Sequence, residues 1–432
     1  MSGSLTYAGF GFGAIQAGLF LHEARRSGSY RRLAVAEVVP AAVDALRKAG
    51  GRFIVNVAHP DRIEQAEEGP IEIGNPDVEA DREALVEAVA EAEAVGTAVP
   101  SVTAYVSAGP GSLHRVLAEG LRRKAARRGP RAVVYTAENH NHAAEILEGH
   151  VRAEIPAAER DAALSRVRFL NTVIGKMSGT LPDPASLKER GLAPVTPGSP
   201  RAFLVEAFNR ILITRIRFDE GGGEPPFRRG IRVFEEKEDL LPFEEAKLYG
   251  HNATHALAAY AGAFRGTARI ADLRDVPGIL PFLRAAFLEE SGEALCRRHA
   301  GLDPLFTREG YARYADDLLA RMTNPHLHDT VERVGRDPHR KLGWDDRLVG
   351  TMRVALGQGV RPLRYAIGAA AAAAVLDLPR WESEAPLADV LRPLWGGADP
   401  GEVTRLVEEG RSLLRRWRAA GFPDLERFFR SG

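Results

Sequence analysis

A single cysteine, Cys296, in 432 residues leaves nothing with which to form an intramolecular disulfide. Amide and thioether side chains are scarce too. Eight Asn, three Gln and four Met stand beside abundant Arg, Glu and Pro, a balance found in heat-adapted proteins. Charge of neither sign is in excess, since Lys+Arg and Asp+Glu each number 58, so global charge argues for neither a nucleic-acid nor a membrane partner. No window approaches the roughly 18 uninterrupted apolar residues that a membrane helix needs. The run Ala369 to Ala374 is too short and too weakly apolar, and is expected to be a helix packed closely on a neighbour. The start lacks a basic region followed by a long apolar core and a cleavage site, so a cytoplasmic location is expected. What is present, 45% hydrophobic residues over this length, suffices to bury two cores of ordinary size.

Strand and helix patterns alternate as far as about residue 180, and helical patterns dominate afterwards. Strand candidates begin at Arg52, Ala94, Ala132 and Val167, with a helix expected over Ser112 to Arg128. This alternation predicts an α/β fold with a parallel, doubly wound sheet followed by a mostly α-helical C-terminal domain. Proline-rich Gly179 to Arg201 reads as a loop or interdomain connection, placing the expected boundary between residues 1–200 and 201–432. Gly221-Gly-Gly-Glu-Pro-Pro reads as a second irregular stretch. The basic cluster Arg122 to Arg131 reads as a solvated helix end.

The N-terminal segment from Leu5 reads as a strand, a glycine turn with Gly9, Gly11 and Gly13, and an apolar helix containing Gly18. Such a turn lets backbone amides approach a pyrophosphate at a helix N-terminus. Two registers are open, Gly9-x-Gly11-x-x-Ala14 and Gly11-x-Gly13 followed by Gly18. A second apolar strand carries Glu37, 24 residues after Gly13, where an acid would accept ribose hydroxyls and repel a 2'-phosphate. NAD is therefore the expected cofactor, with Arg31 and Arg32 as the features that would favour NADP.

Lys247-Leu-Tyr-Gly-His-Asn252-Ala-Thr-His255 brings an amine, an amide and an imidazole into one predicted helix. Asn252 and His255 are neighbours at i, i+3, and Gly250 can bend the backbone between them and Lys247. Taken alone, the segment fits a solvated lysine, a capping asparagine and a satisfied histidine equally well. Polar residues at expected strand ends add to it: Thr97, Glu138-Asn139 and Asn171. His251 and His255 have the i, i+4 spacing of a zinc helix, but the glutamate that would follow His251 is absent and one cysteine excludes thiolate-rich sites, so no metal is expected.

On these residues, together with Val205-Glu-Ala-Phe and Glu289-Glu-Ser-Gly-Glu, the chain resembles the polyol-specific long-chain dehydrogenase family of mannitol 2-dehydrogenases, mannitol-1-phosphate 5-dehydrogenases and uronate reductases. The segment Asn324-Pro-His-Leu-His-Asp to Lys341, followed by Asp346-Arg347-Leu, is most similar to the mannitol-1-phosphate 5-dehydrogenase branch. The resemblance implies a Rossmann-type NAD domain, a helical substrate domain and metal-independent hydride transfer between them. It also implies Lys247 as general base, Asn171 and Asn252 as amide donors to the reacting oxygen, and His255 as holder of a hydroxyl. Arg336, Arg340 and Lys341 are the cations expected to meet a substrate phosphate, guanidinium forks being suited to phosphate oxygens. The expected substrate pair is mannitol 1-phosphate and fructose 6-phosphate, handled by a monomer or small homo-oligomer. Unphosphorylated polyols or aldonates, and a non-catalytic nucleotide-binding regulator, are the alternatives. One departure stands out: Gly175-Lys176 occupies the place of the family's usual Asp-Arg pair.

Overall fold

The computed structural model describes residues 4–208, 210–218, 227–396, 398 and 401–431. The chain divides into two compact units, Met1–Leu241 and Pro242–Gly432.

Among its described residues the first unit has twelve strands: β1 (Leu5–Phe10), β2 (Tyr30–Ala36), β3 (Phe53–Ala58), β4 (Ile63–Glu68), β5 (Glu72–Gly74), β6 (Ala94–Thr97), β7 (Ala132–Thr136), β8 (Val167–Ile174), β9 (Ser178–Leu181), β10 (Ala202–Glu206), β11 (Ile211–Thr214) and β12 (Phe234–Lys237). Eight form one sheet in the order β12-β11-β8-β7-β6-β1-β2-β5. From β5 to β8 the pairing is parallel, and β11 closes against β8 antiparallel. Helices cover both faces, which is why β1, β6 and β7 are apolar without alternation and almost wholly buried.

The run from Phe53 is a strand, but it lies in a second sheet, β4-β3-β10-β9, not in the parallel one. Periodicity reports burial and not which sheet a strand joins. The segment expected to link two domains is internal to the first unit: it holds β9 and the helix Pro184–Glu189, whose Asp183 side chain accepts from the amides of Ala185 and Ser186. The boundary therefore falls after Leu241 and not at residue 200, because β10, β11 and β12 complete the two sheets. The stretch from Gly221 lies outside the described residues. Arg122, Arg123 and Arg127 are not simply solvated, since they pair with Glu119, Glu159, Glu83 and Glu87.

Among the described residues of the second unit every regular element is helical, with one isolated bridge between Arg269 and Thr330. The alanine run lies in the buried helix Leu363–Leu376. A Cβ on Gly410, in the helix Gly401–Ala419, would come 2.7 Å from the Ala366 carbonyl, so the approach requires glycine at this position. No described helix is long and apolar enough to cross a membrane.

Candidate active site

The glycines of the N-terminal turn differ in what surrounds them. Gly11 has φ +82°, and a Cβ there would sit 2.7 Å from the Ala98 carbonyl oxygen, so this position makes the tight turn. At Gly13, where the helix begins, an added Cβ would meet nothing within 4 Å, which leaves the backbone open to a ligand. Gly18 is a packing glycine, its missing Cβ lying 2.5 Å from Val205 Cγ1. Gly9 makes room for Gln16, which an added Cβ would overlap at 1.9 Å. Glu37 is buried at the end of β2 and accepts from the amides of Phe12 at 3.0 Å and Val39 at 2.9 Å, which ties it to the turn. A carboxylate has about four acceptor positions, so two such bonds leave capacity for hydroxyls. Arg31 and Arg32 start β2, at its opposite end, and Arg32 is committed to Glu72 and Glu91.

Thr97 and Glu138 are buried partners, with Thr97 Oγ1 donating to Glu138 Oε2 at 2.8 Å. Glu138 also accepts from the Val99 amide at 2.9 Å and from the Tyr105 hydroxyl. Asn139 next to it is exposed. Asn171 has both ends of its amide engaged: Oδ1 accepts from the Ala144 amide at 2.9 Å and Nδ2 donates to Glu145 at 2.8 Å. It caps the helix Ala143–Glu154.

In the second unit Lys247 lies on a π-helical turn, Ala246–Asn252, which runs directly into the helix Ala253–Arg265. Wide turns of this kind recur at functional sites. Gly250 allows it, because a Cβ there would come within 2.6 Å of the Tyr311 hydroxyl oxygen. Thr351 Oγ1 donates to the Tyr249 carbonyl at 3.1 Å, docking the start of the helix Val349–Gly357 on this turn and bringing Arg347 towards Lys247. The helix Val331–Gly335 packs on Ala253–Arg265, with the Tyr260 hydroxyl donating to the Gly335 carbonyl at 2.8 Å, which carries Asp329 and Arg333 towards His255.

Electrostatics follow from this convergence. Burial pushes the Lys247 ammonium down to about 8, and Arg347 pushes in the same direction. His255 is held down to about 4, first by burial, with Arg333, Arg347 and Lys341 adding and Asp329 opposing. His255 Nε2 and Asp329 Oδ2 stand 3.8 Å apart, both buried and neither with a hydrogen-bond partner. Among the described residues the Asn252 side chain also makes no hydrogen bond, and it is half-buried. Unsatisfied buried polar atoms are costly, and the facing pair His255 Nε2 and Asp329 Oδ2 marks a place for a ligand with a hydroxyl group.

The predicted phosphate cations separate. Lys341 is buried, donates to the Arg336 carbonyl and has its pKa pushed down to about 8 by burial, with Arg347 and Arg340 adding. Arg336 and Arg340 are exposed, and Arg340 pairs with Asp337 at 3.2 Å. Asp329 and Arg347 stand within the motif quoted above, but nothing in the sequence assigned either of them a role. Arg347 is 100 positions from Lys247, and only the fold reveals its influence on Lys247, His255 and Lys341.

Comparison with known proteins gives a consistent result. The mannitol dehydrogenase C-terminal domain family matches residues 239–379. A mannitol-1-phosphate 5-dehydrogenase of Paenarthrobacter aurescens (strain TC1) is 31% identical over 325 residues, covering 75% of this chain and 76% of its own. Another from Bacillus licheniformis is 29% identical over 366 residues, covering 83% and 87%. Among solved structures, substrate-free D-sorbitol dehydrogenase superposes with a TM-score of 0.74 at 15% identity, over 98% of this chain and 94% of the other. Pseudomonas fluorescens mannitol 2-dehydrogenase, a ternary complex with NAD and D-mannitol, gives 0.69 at 18% identity over 100% and 95%. Both establish the fold.

Proposed function

The chain belongs to the mannitol dehydrogenase family, and from that premise we propose that it is an NAD-dependent oxidoreductase that interconverts mannitol 1-phosphate and fructose 6-phosphate. The observation that carries the reading is the desolvated Lys247, its pKa about 8, on a turn that also presents Asn252 and His255. A lysine near neutrality can accept a proton from an alcohol and return it to a carbonyl oxygen, which arginine cannot do.

The glycine turn fits a dinucleotide: Gly11 turns, Gly13 leaves an open approach at the helix start, and Glu37 stands where ribose hydroxyls would be accepted. Bound NAD supplies the hydride acceptor. Neutral Lys247 takes the hydroxyl proton during oxidation. Asn252 donates its amide to the same oxygen as negative charge develops. His255 and Asp329 together hold an adjacent hydroxyl, which satisfies both of their free atoms. Asn171, with its amide given to Glu145, acts as a positioning residue through the helix it caps. Lys341 and Arg347 meet the substrate's phosphate, with Arg340 and Arg336 at the rim.

Replacing Lys247 by Ala is the direct test. Turnover with mannitol 1-phosphate is expected to fall by roughly a hundredfold or more, while NADH binding followed by fluorescence stays within a few-fold of wild type. Near wild-type turnover in the variant would remove the general base from this reading. Exposure of Arg336 and Arg340 favours a second reading, oxidation of unphosphorylated polyols, and a comparison of mannitol with mannitol 1-phosphate on the wild-type enzyme separates the two.

A further inference from the structure

The first unit contains a cavity of about 420 Å³ lined by His22, Glu23, Arg26, His59, Glu64, Lys176 and Arg232, among others. None of these belongs to the glycine turn or to the Lys247 cluster. Lys176 is buried, with its ammonium donating to the Phe208 carbonyl at 3.0 Å. Arg26 and Arg232 are exposed and make no ion pair or side-chain hydrogen bond among the described residues. The carboxylates are organised differently. His22 is hydrogen-bonded through Nδ1 to Glu68 at 2.7 Å and has Glu23 3.9 Å from Nε2, while His59 Nε2 and Glu64 are 2.9 Å apart.

From this juxtaposition of Lys176, Arg26 and Arg232 with two carboxylate–imidazole pairs in one cavity, we infer that the first unit binds a phosphorylated polyhydroxy compound. The guanidinium forks and the ammonium match phosphate oxygens. Glu23 and Glu64 are acceptors for the hydroxyl groups of the same molecule, a role that cations cannot fill. A volume of this size lies within the range of small-molecule sites. Since the substrate's phosphate is assigned to Lys341 and Arg347, the ligand of this cavity is a second, separate sugar phosphate.

The test uses the full chain, with inorganic phosphate and glycerol 3-phosphate as probes in calorimetry at fixed ionic strength. Wild type is expected to bind glycerol 3-phosphate more tightly than phosphate. The exposed pair Arg26→Glu/Arg232→Glu is expected to lose one equivalent of either probe, with affinity at that site reduced by at least about tenfold. Should the double variant fold poorly, Arg232→Gln alone is measured, and Arg232→Lys is expected to restore part of the binding. A variant that keeps the stoichiometry and affinity of wild type overturns the inference, and equal binding of the two probes overturns its polyol half. Loss of the equivalent with the KM for mannitol 1-phosphate unchanged is the result expected of a separate site, and a tenfold rise in that KM with mannitol unaffected overturns the separation. Because binding is read without turnover, the outcome does not depend on the general-base reading.

Discussion

An ammonium is a poor proton acceptor at neutral pH unless its surroundings disfavour the charge, and at Lys247 burial and then Arg347 do so. For polyol oxidation the rate should rise with pH through about 8 and level off above it, as Lys247 becomes neutral, whereas ketose reduction should be favoured below it. Removing a neighbouring cation lets lysine keep its proton to higher pH. Arg347→Met is therefore expected to move the midpoint of the kcat/KM profile upwards, whatever it does to affinity. A midpoint that stays put would mean that Arg347 does not act on Lys247. The cofactor choice is also a residue-scale matter. Arg31 and Arg32 lie five to six residues from Glu37 along an extended strand, roughly 16 to 20 Å at the rise of a strand, too far to grip a 2'-phosphate held at the glycine turn. NAD should be preferred over NADP, and Glu37→Ser should narrow the ratio of their kcat/KM values. A wild-type enzyme that uses NADP as well as NAD would contradict this.

At the scale of the element, the π-helical turn decides where Lys247 points. The clash that Gly250 avoids is with the hydroxyl of a Tyr311 that is itself fully buried, so the ring has no room to retreat. Gly250→Ala is expected to lower stability by about 1 to 3 kcal/mol, as overpacking does, and to reduce kcat more than NADH binding. Unchanged kcat and thermal midpoint would show that the turn tolerates the methyl. The turn was partly legible in the sequence, since a glycine between Lys247 and His255 signalled a bend, though not its width. The strands from Ala94, Ala132 and Val167 were legible because each is a short apolar run between breakers. β9 to β12 were not: β10 and β11 are short apolar runs of four or five residues beyond the point where strand and helix patterns stop alternating, β9 is a short polar stretch before Pro182, and β12, like β4, is rich in charged residues, so apolar density does not mark it. Asp329 stood within the recognised motif, but its unsatisfied oxygen facing His255 is a property of packing between distant segments, which no local pattern encodes.

Over the whole molecule, charge is divided unequally between the two basic residue types. Only seven of the 58 Lys and Arg residues are lysine. Of these seven, Lys124, Lys176 and Lys341 are buried and Lys247 is half-buried. Arginine carries the surface ion pairs, where a permanently charged fork holds two carboxylates at once, as Arg123 does for Glu83 and Glu119. Four of the seven lysines are withdrawn from the surface, whereas Lys48 and Lys188 are exposed and Lys237 pairs with Glu235. Lys124 illustrates the energetic consequence: fully buried, with its Nζ donating to the Ala92 carbonyl at 2.6 Å, it is pushed by desolvation down to about 7. In the unfolded chain the same group titrates near 10.4. Between these values the unfolded state binds more protons, so folding stability gains from rising pH, by up to about 1.4 kcal/mol per pH unit for one such group. The gain is complete above the unfolded pKa and is lost as pH falls towards 7. Lys247 and Lys341, both about 8, act with the same sign over the upper part of the window. Lys124→Met removes one contribution and leaves a carbonyl to repair, so its absolute stability is a poor readout while its slope is a good one. Denaturant melts of wild type and variant from pH 7 to 10 should show wild type gaining on the variant at each step. Parallel curves would mean that Lys124 stays charged in the folded protein, held so by Glu93 in spite of its burial.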